Sequence, residues 1–415
     1  MVKEIPAAQL PARPEELEAP TFPAPASRLP IELLSEIFIC LTKIHSNKTL
    51  KFDTKRRFPQ WHVSCVCRSW RAAALATSQL WSSIALRLAK RYTPGQTALF
   101  TAALERSGQA FLHIRVFNPF MENYLEYDPL LALLVAQAHR WRKLVLLNEF
   151  YCHLPHPFEQ VKGKLPRLRT LKLCSSLEAI HTPNVITDLF AETPALVDLT
   201  IEKEYTGYFI LPWQNIQKLK LCKDGDADAV PHLDSLLLPS LRDLHVDVDG
   251  EDDFNTFMPR IPPLVVRSEC CLASLTLHSW HGGGGGLIDF LRDHTFASLT
   301  SLCIRAHKSI ASRLFTALTS TDADQPHSVM LPALERLQVQ AFLSDDAREV
   351  DTLTHDAMMG MLESRCLFSV AGGITQLIYF AFDGYPRFPM SEDHGERLNT
   401  LIEDGLYFTT LTDLK

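Results

Sequence analysis

The sequence predicts an α/β chain, in which a small all-helical N-terminal unit precedes an irregular solenoid with parallel strands on one face and helices on the other. Two observations carry this prediction. A short pattern, apolar-x-x-Leu-x-apolar, recurs from about residue 138 onwards in eight clear copies and a weaker ninth. Before those copies, apolar residues recur at the i, i+3, i+4, i+7 spacing of helices that bury one face.

The composition is typical of a globular protein. The 415 residues are 46% hydrophobic and 21% charged, with a formal net charge of −7. So modest a charge does not favour nucleic acid or a membrane surface as a partner. The start of the chain lacks the apolar region of a secretory signal, and the uncharged run at residues 366–382 is too short and too polar to span a bilayer. We therefore expect an intracellular protein that is cytoplasmic, nuclear or both.

The chain is expected to have four parts. Residues 1–26 are rich in proline and acidic side chains and are expected to be a disordered leader. Residues 27–90 form the helical unit, and residues 91–137 form a helical linker with a degenerate first repeat. Residues 138–415 form the solenoid, so the repeats account for most of the ordered chain.

Two apolar stripes define the helical unit. The first lies in SRLPIELLSEIFICLTKI (27–44) and comprises Leu34, Ile37, Phe38 and Leu41. The second is predicted for one continuous helix and comprises Val63, Val66, Cys67, Trp70, Ala73 and Ala74. A short third element follows in TSQLWSSI (77–84). Two helices of this size cannot bury both stripes in each other, so a partner or the repeats must cover the remainder.

This unit resembles an F-box. The family pattern is Leu-Pro, then an aliphatic-Phe pair, a Val-Cys-Arg-x-Trp core and a Leu-Trp pair. The matching residues are Leu29-Pro30, Ile37-Phe38, Val66-Cys67-Arg68-Ser69-Trp70 and Leu80-Trp81. A long basic insert at residues 43–61 departs from the pattern. It is expected to extend the first helix or to form a solvated loop, with nucleic-acid contact or nuclear import as the alternatives.

The resemblance implies a partner. In the family, the F-box docks on a Skp-type adaptor and through it on a cullin, while the rest of the chain holds a protein substrate for ubiquitination. Ten residues are expected to divide between the adaptor interface and the core of the unit. They are Leu29, Pro30, Leu33, Ile37, Phe38, Val66, Cys67, Trp70, Leu80 and Trp81. The alternative function is a repeat-based scaffold that binds the adaptor without ubiquitin transfer.

The repeated pattern predicts one strand per copy. The central leucines are Leu144, Leu171, Leu199, Leu219, Leu244, Leu275, Leu302, Leu337 and Leu377. A strand and a helix-like return every 20–40 residues indicate a leucine-rich-repeat solenoid, and an ordinary α/β domain rich in Leu-x-Leu strands is the alternative. No asparagine ladder follows the strands, so irregular turns are expected. The whole chain is similar to fungal F-box proteins with degenerate leucine-rich repeats.

Three motifs suggest chemistry that the rest of the chain does not support. HGGGGG (281–286) is similar to an esterase oxyanion loop, but the chain contains no G-x-S-x-G nucleophile motif. DGDADA (224–229) lacks the glycine and glutamate that a calcium loop requires. His62, Cys65 and Cys67 lack a fourth zinc ligand, and the cysteines are expected to be core thiols. We therefore expect no enzyme activity, catalytic residue, metal or cofactor.

An acidic cluster occupies residues 224–253. One interpretation is a docking patch for a basic segment of the substrate, and the other is a solvated loop edge. The candidate docking residues are Asp247, Asp249, Glu251, Asp252 and Asp253.

Overall fold

The computed structural model describes residues 29–47, 59–89, 91–117, 128–147, 156–174, 188–202, 209–223, 233–248, 257–279, 286–319, 329–342, 352–367, 374–384 and 391–409. The chain divides into two compact units, one ending at Trp81 and the other beginning at Ser82. In the described residues, no helix has the length and apolar character needed to cross a membrane.

The first unit is helical, as the apolar stripes indicate. It contains α1 (Ile31–Asn47), α2 (Pro59–Val63), α3 (Arg68–Ala76) and a 3-10 turn at Ser78–Trp81. The first helix therefore continues into the start of the basic insert, whose residues 48–58 lie outside the described part.

The second stripe does not lie on one helix, which corrects the sequence prediction. Cys67 has an extended backbone (φ −155°, ψ 174°), and its sulfur accepts a hydrogen bond from the Trp70 N–H at 3.4 Å. Cys67 is therefore the N-cap of α3, and the helix is interrupted before it. Cys65 and Cys67 are exposed rather than core thiols.

The second unit is a twelve-stranded sheet whose strands follow one another in chain order, every neighbouring pair being parallel. The strands are β1 (Ser83–Arg87), β2 (Leu112–Phe117), β3 (Trp141–Leu147), β4 (Thr170–Cys174), β5 (Asp198–Glu202), β6 (Lys218–Lys223), β7 (Asp243–Val248), β8 (Ser274–Ser279), β9 (Ser301–His307), β10 (Arg336–Phe342), β11 (Tyr379–Gly384) and β12 (Tyr407–Thr409). This confirms the α/β class and the parallel strands, and a sheet wound in sequence order is leucine-rich-repeat-like.

The segments that connect consecutive strands, here called returns, are irregular in structure. Within the described residues, helices occur in seven of them: α4 (Pro94–Arg106), α5 (Pro129–Val135), α6 (Ile261–Ser268), α7 (Leu287–Leu291), α8 (Lys308–Leu318), α9 (Thr352–Leu367) and α10 (Glu392–Glu403). Others contain only 3-10 turns in their described part, such as His156–Val161 and Trp213–Asn215. Unequal returns explain why the repeat length varies along the sequence.

The central leucines form one buried row across the sheet. Leu144 pairs in register with Leu171, and the row continues strand by strand to Leu337. Each of these eight leucines is at most 2% exposed. A single hydrophobic cluster extends from Ile84 to Leu406, so each repeat buries its leucines against its neighbours.

The ends of the sheet differ from the predicted repeats. The ninth copy was placed three residues too early, because Phe380 and not Leu377 pairs with Leu337. The degenerate copy at Phe111 forms β2, whereas β1 lies inside the range assigned to the helical unit. Its sequence, Trp81-x-x-Ile84-x-Leu86, matches the repeat pattern with isoleucine at the central position.

Candidate protein-interaction surfaces

A row of apolar side chains is exposed along α1. Leu33, Ile37 and Leu41 follow at i, i+4 and i+8, and they are 52%, 44% and 37% exposed. We call these three residues the exposed stripe. Leu34 and Phe38 on the adjoining helix face are buried. Helix α1 is therefore apolar on two sides: one side packs inside the protein, and the other is the exposed stripe. An exposed apolar face of this kind is typical of an interaction site.

The turn between α2 and α3 adds a second exposed apolar group. Val66 is 60% exposed, because the interruption before α3 removes it from the buried side of a helix. Trp70, one turn into α3, is half-buried, and its ring lies 5.0 Å from that of Phe38 between centroids. The contact fixes α3 against α1.

The ten residues predicted to serve the adaptor interface or the core now divide into two groups. Phe38, Leu80 and Trp81 are buried, and the indole N–H of Trp81 donates a 2.7 Å hydrogen bond to the Ala74 carbonyl. The exposed group comprises Leu29, Pro30, Leu33, Ile37, Val66 and Cys67, with Trp70 between the two groups. Only the exposed group and Trp70 are available for direct contact with a partner.

The outer face of the sheet is formed by the side chains that alternate with the leucines. On β2 to β4 these include Arg115, Lys143 and Lys172, which we call the basic patch. Val145 on β3 pairs in register with Arg115 on β2 and with Lys172 on β4. Lys143 lies two residues before Val145 and therefore on the same face of the sheet. Three cations are therefore held on neighbouring strands.

The basic patch is partly removed from water. Burial, and then the positive charges of Lys172 and Arg115, lower the pKa of Lys143. Burial likewise lowers the pKa of Arg115. The Asp198 carboxylate offsets part of the repulsion between these cations. The positive charge that remains favours an anionic partner group, because such a group would relieve the rest of the repulsion.

A cluster of two histidines and one aspartate lies further along the same face, on β7 and β8. His245 and Asp247 are two residues apart on one strand, and His278 is the register partner of Asp247. The Lys220 ammonium lies 3.6 Å from the Asp247 carboxylate. The adjacent imidazoles of His245 and His278 hold the pKa of Asp247 well below its usual range, while burial lowers the pKa of His245. Asp247 is therefore ionised at neutral pH.

The predicted acidic docking patch is only partly tested by this geometry. Asp247 lies on the sheet and is surrounded by Lys220, His245 and His278 rather than standing free for a basic segment. The other four candidates, Asp249, Glu251, Asp252 and Asp253, lie outside the described residues, as do DGDADA and residues 281–285 of HGGGGG. His245 and His278 were not predicted from the sequence, although an H-x-D motif in one repeat strand and a histidine at the matching position of the next strand indicate the cluster.

Comparisons with known proteins show structural similarity of low strength. No protein-family model matches the sequence, and no curated protein matches it. Among solved structures, the chain is similar to the leucine-rich repeat-containing protein LegL7 from Legionella pneumophila, at 12% identity and a TM-score of 0.39, over 78% of this chain and 97% of that one. The leucine-rich-repeat character of this chain rests on its own sheet register and not on that similarity.

Proposed function

We propose that the chain is the substrate-recognition subunit of a Skp–cullin–F-box ubiquitin ligase. The observation that carries the proposal is the exposed stripe on α1, together with Val66 in the turn before α3. These groups stand at or next to the positions where the sequence resembles an F-box. A Skp-type adaptor would cover the apolar surface that the unit leaves in water.

Burial of these side chains would supply only part of the binding energy that a stable complex requires. Full burial of a large apolar side chain contributes about 1.5–3 kcal/mol, and these side chains are already partly buried. Four of them at about 1 kcal/mol each would contribute about 4 kcal/mol, before hydrogen bonds and aromatic contacts are added. Trp70 lies beside them and is the aromatic anchor that such interfaces favour.

In this proposal the sheet of the second unit holds the substrate. Its outer face carries the basic patch, which favours a substrate segment with carboxylate or phosphate groups. The chain would contribute no bond chemistry. It would raise the effective concentration of a target lysine near the ubiquitin-charged enzyme, in the intracellular compartment where ubiquitin ligases work.

The second candidate is a repeat-based scaffold that binds the adaptor without ubiquitin transfer. The same exposed stripe supports it, since docking precedes any transfer. Removal of the protein from cells separates the two functions: a receptor's bound partner becomes longer-lived, whereas a scaffold's partner keeps its half-life.

Substitution of the exposed stripe tests the docking step. Ile37→Asp with Val66→Asp should reduce capture of a Skp-type adaptor by at least about tenfold, because two charges would replace apolar contacts. The matched control is Leu99→Asp on α4, which is also an exposed apolar position (51%) but lies in the second unit. Equal adaptor capture by all folded variants would contradict the proposal.

A further inference from the structure

The cluster on β7 and β8 has the chemistry of a transition-metal site. A strand places residues i and i+2 on the same face, so the side chains of His245 and Asp247 project together. His278 stands opposite Asp247 on the adjacent parallel strand. The fold thus brings two imidazoles and one carboxylate to one point on the outer face of the sheet.

The distances in the cluster are close to those of a metal site. The Asp247 Oδ2 atom lies 3.8 Å from His245 Nε2 and 3.8 Å from His278 Nδ1. The two imidazole rings are 4.8 Å apart between centroids, and the three ligand atoms lie within 4.8 Å of one another. Ligands about 2.0–2.2 Å from a tetrahedral zinc ion are roughly 3.3–3.6 Å apart, so side-chain rotations that bring the three ligand atoms closer together would close the site.

One atom of the cluster, His245 Nε2, is left without a hydrogen bond of ordinary length. A separation of 3.8 Å is too long for a hydrogen bond between nitrogen and oxygen. In the described part of the chain, His245 Nε2 is buried and has no hydrogen-bond partner. A buried polar atom without a partner is unfavourable and requires an explanation, and a bound ion is one of the few that applies.

We propose that His245, Asp247 and His278 bind a divalent first-row transition metal such as Zn²⁺. Imidazole suits these ions, whereas Mg²⁺ and Ca²⁺ prefer sites made of oxygen atoms alone. Three protein ligands leave one coordination position open, as in zinc sites that hold a water or a second ligand. The open position would lie on the face of the sheet, available to a donor atom of a bound partner.

Two cations of the chain face the same point and limit the affinity. Lys220 on β6 is the register partner of His245, and its ammonium lies 3.6 Å from Asp247 Oδ2. Arg305 on β9 is the register partner of His278. The metal ion would take the place of Lys220 beside the carboxylate, so Lys220 competes with it. Removal of the Lys220 charge should therefore tighten metal binding.

The direct test is zinc binding by the untagged full-length protein after treatment with a chelator. Isothermal titration with Zn²⁺ should give one tight site, and substitution with Co²⁺ should give the visible absorption of a nitrogen- and oxygen-ligated ion. His245→Ala and His278→Ala should each weaken binding at least about 100-fold. The matched control is His113→Ala, an exposed histidine on β2, which should bind zinc like the parent protein.

A further variant keeps the proposal falsifiable if an alanine variant fails to fold. Lys220→Met leaves all three ligands in place and should tighten zinc binding by roughly tenfold, because it removes one positive charge near a dication. Absence of a one-to-one zinc complex, zinc binding that survives both histidine substitutions, or weaker binding by Lys220→Met would overturn the proposal. None of these results bears on adaptor docking, because the exposed stripe is not altered.

Discussion

Arg365 on α9 is the residue whose replacement should destabilise the repeat unit most clearly. It is 1% exposed, and its guanidinium donates hydrogen bonds to the carbonyls of Leu318 at 2.9 Å, Leu331 at 3.1 Å and Met330 at 2.5 Å. Burial lowers the pKa of Arg365 to about 10, which leaves it charged at neutral pH. Leu331 adopts φ 53°, a left-handed conformation that leucine seldom takes, so Arg365 holds a strained turn in place.

Arg365→Met removes all three donors while methionine fills much of the space of the side-chain stem. The Leu331 carbonyl keeps the hydrogen bond that it accepts from the Leu334 N–H at 3.2 Å, so the main loss falls on the carbonyls of Leu318 and Met330. Each buried carbonyl left without a partner costs about 1–3 kcal/mol, and relief of the buried charge offsets part of that. The free energy of unfolding should therefore fall by about 3 kcal/mol. Arg397→Met is the control, because Arg397 pairs with Glu363 at 2.8 Å but is 39% exposed, and such pairs contribute about 0–1 kcal/mol.

Urea unfolding followed by circular dichroism, with the slopes of the transitions compared, measures both values. Hydrogen exchange of peptides from α9 and from the turn at Leu331 would locate the loss of protection. Equal losses of stability in the two variants would refute the argument that burial of the guanidinium decides its contribution.

Three further predictions concern a helix cap, a buried thiol and the central-leucine row. Asp128→Ala should cost about 2 kcal/mol in thermal or urea unfolding, because Asp128 caps α5 by accepting two backbone hydrogen bonds of 2.9 Å and also accepts one from the Tyr92 hydroxyl; unchanged stability would contradict the capping role. Burial raises the pKa of Cys303 to about 11, so at neutral pH a thiol reagent should label exposed Cys67 well before Cys303, as mass spectrometry of peptides would resolve; labelling in the reverse order would count against the burial described. Leu244→Ala should cost about 2.5–5 kcal/mol, whereas Leu237→Ala at a 53% exposed position should change stability by less than about 0.5 kcal/mol, and similar values would contradict the central-leucine row.

The repeat strands could be predicted because their leucines recur in one local pattern. Each of the eight predicted central leucines from Leu144 to Leu337 pairs in register with the central leucine of a neighbouring strand. The pattern failed where another side chain takes the central place, as Phe380 does in β11 and Ile84 does in β1. A large apolar group fills the same buried position whatever its shape, so a search for leucine alone misses these strands.

The candidate sites were harder to predict, because they depend on pairing between strands and on helix interruption. His278 meets Asp247 only through the parallel register of two repeats that are about 30 residues apart. Spacing alone placed Ile37 and Phe38 on one stripe, although Phe38 is buried and Ile37 is exposed. The break before Cys67 depends on a cap whose acceptor is sulfur, and sequence rules for caps rest on oxygen acceptors.

Docking of the helical unit on a Skp-type adaptor is the central claim. Hydrogen exchange of the full-length protein with and without a recombinant adaptor tests it most directly. We predict a one-to-one complex in which protection increases in peptides covering the exposed stripe and the turn at Val66, while the central-leucine strands are unchanged. Failure to form a complex, or protection confined to the sheet, would contradict the claim.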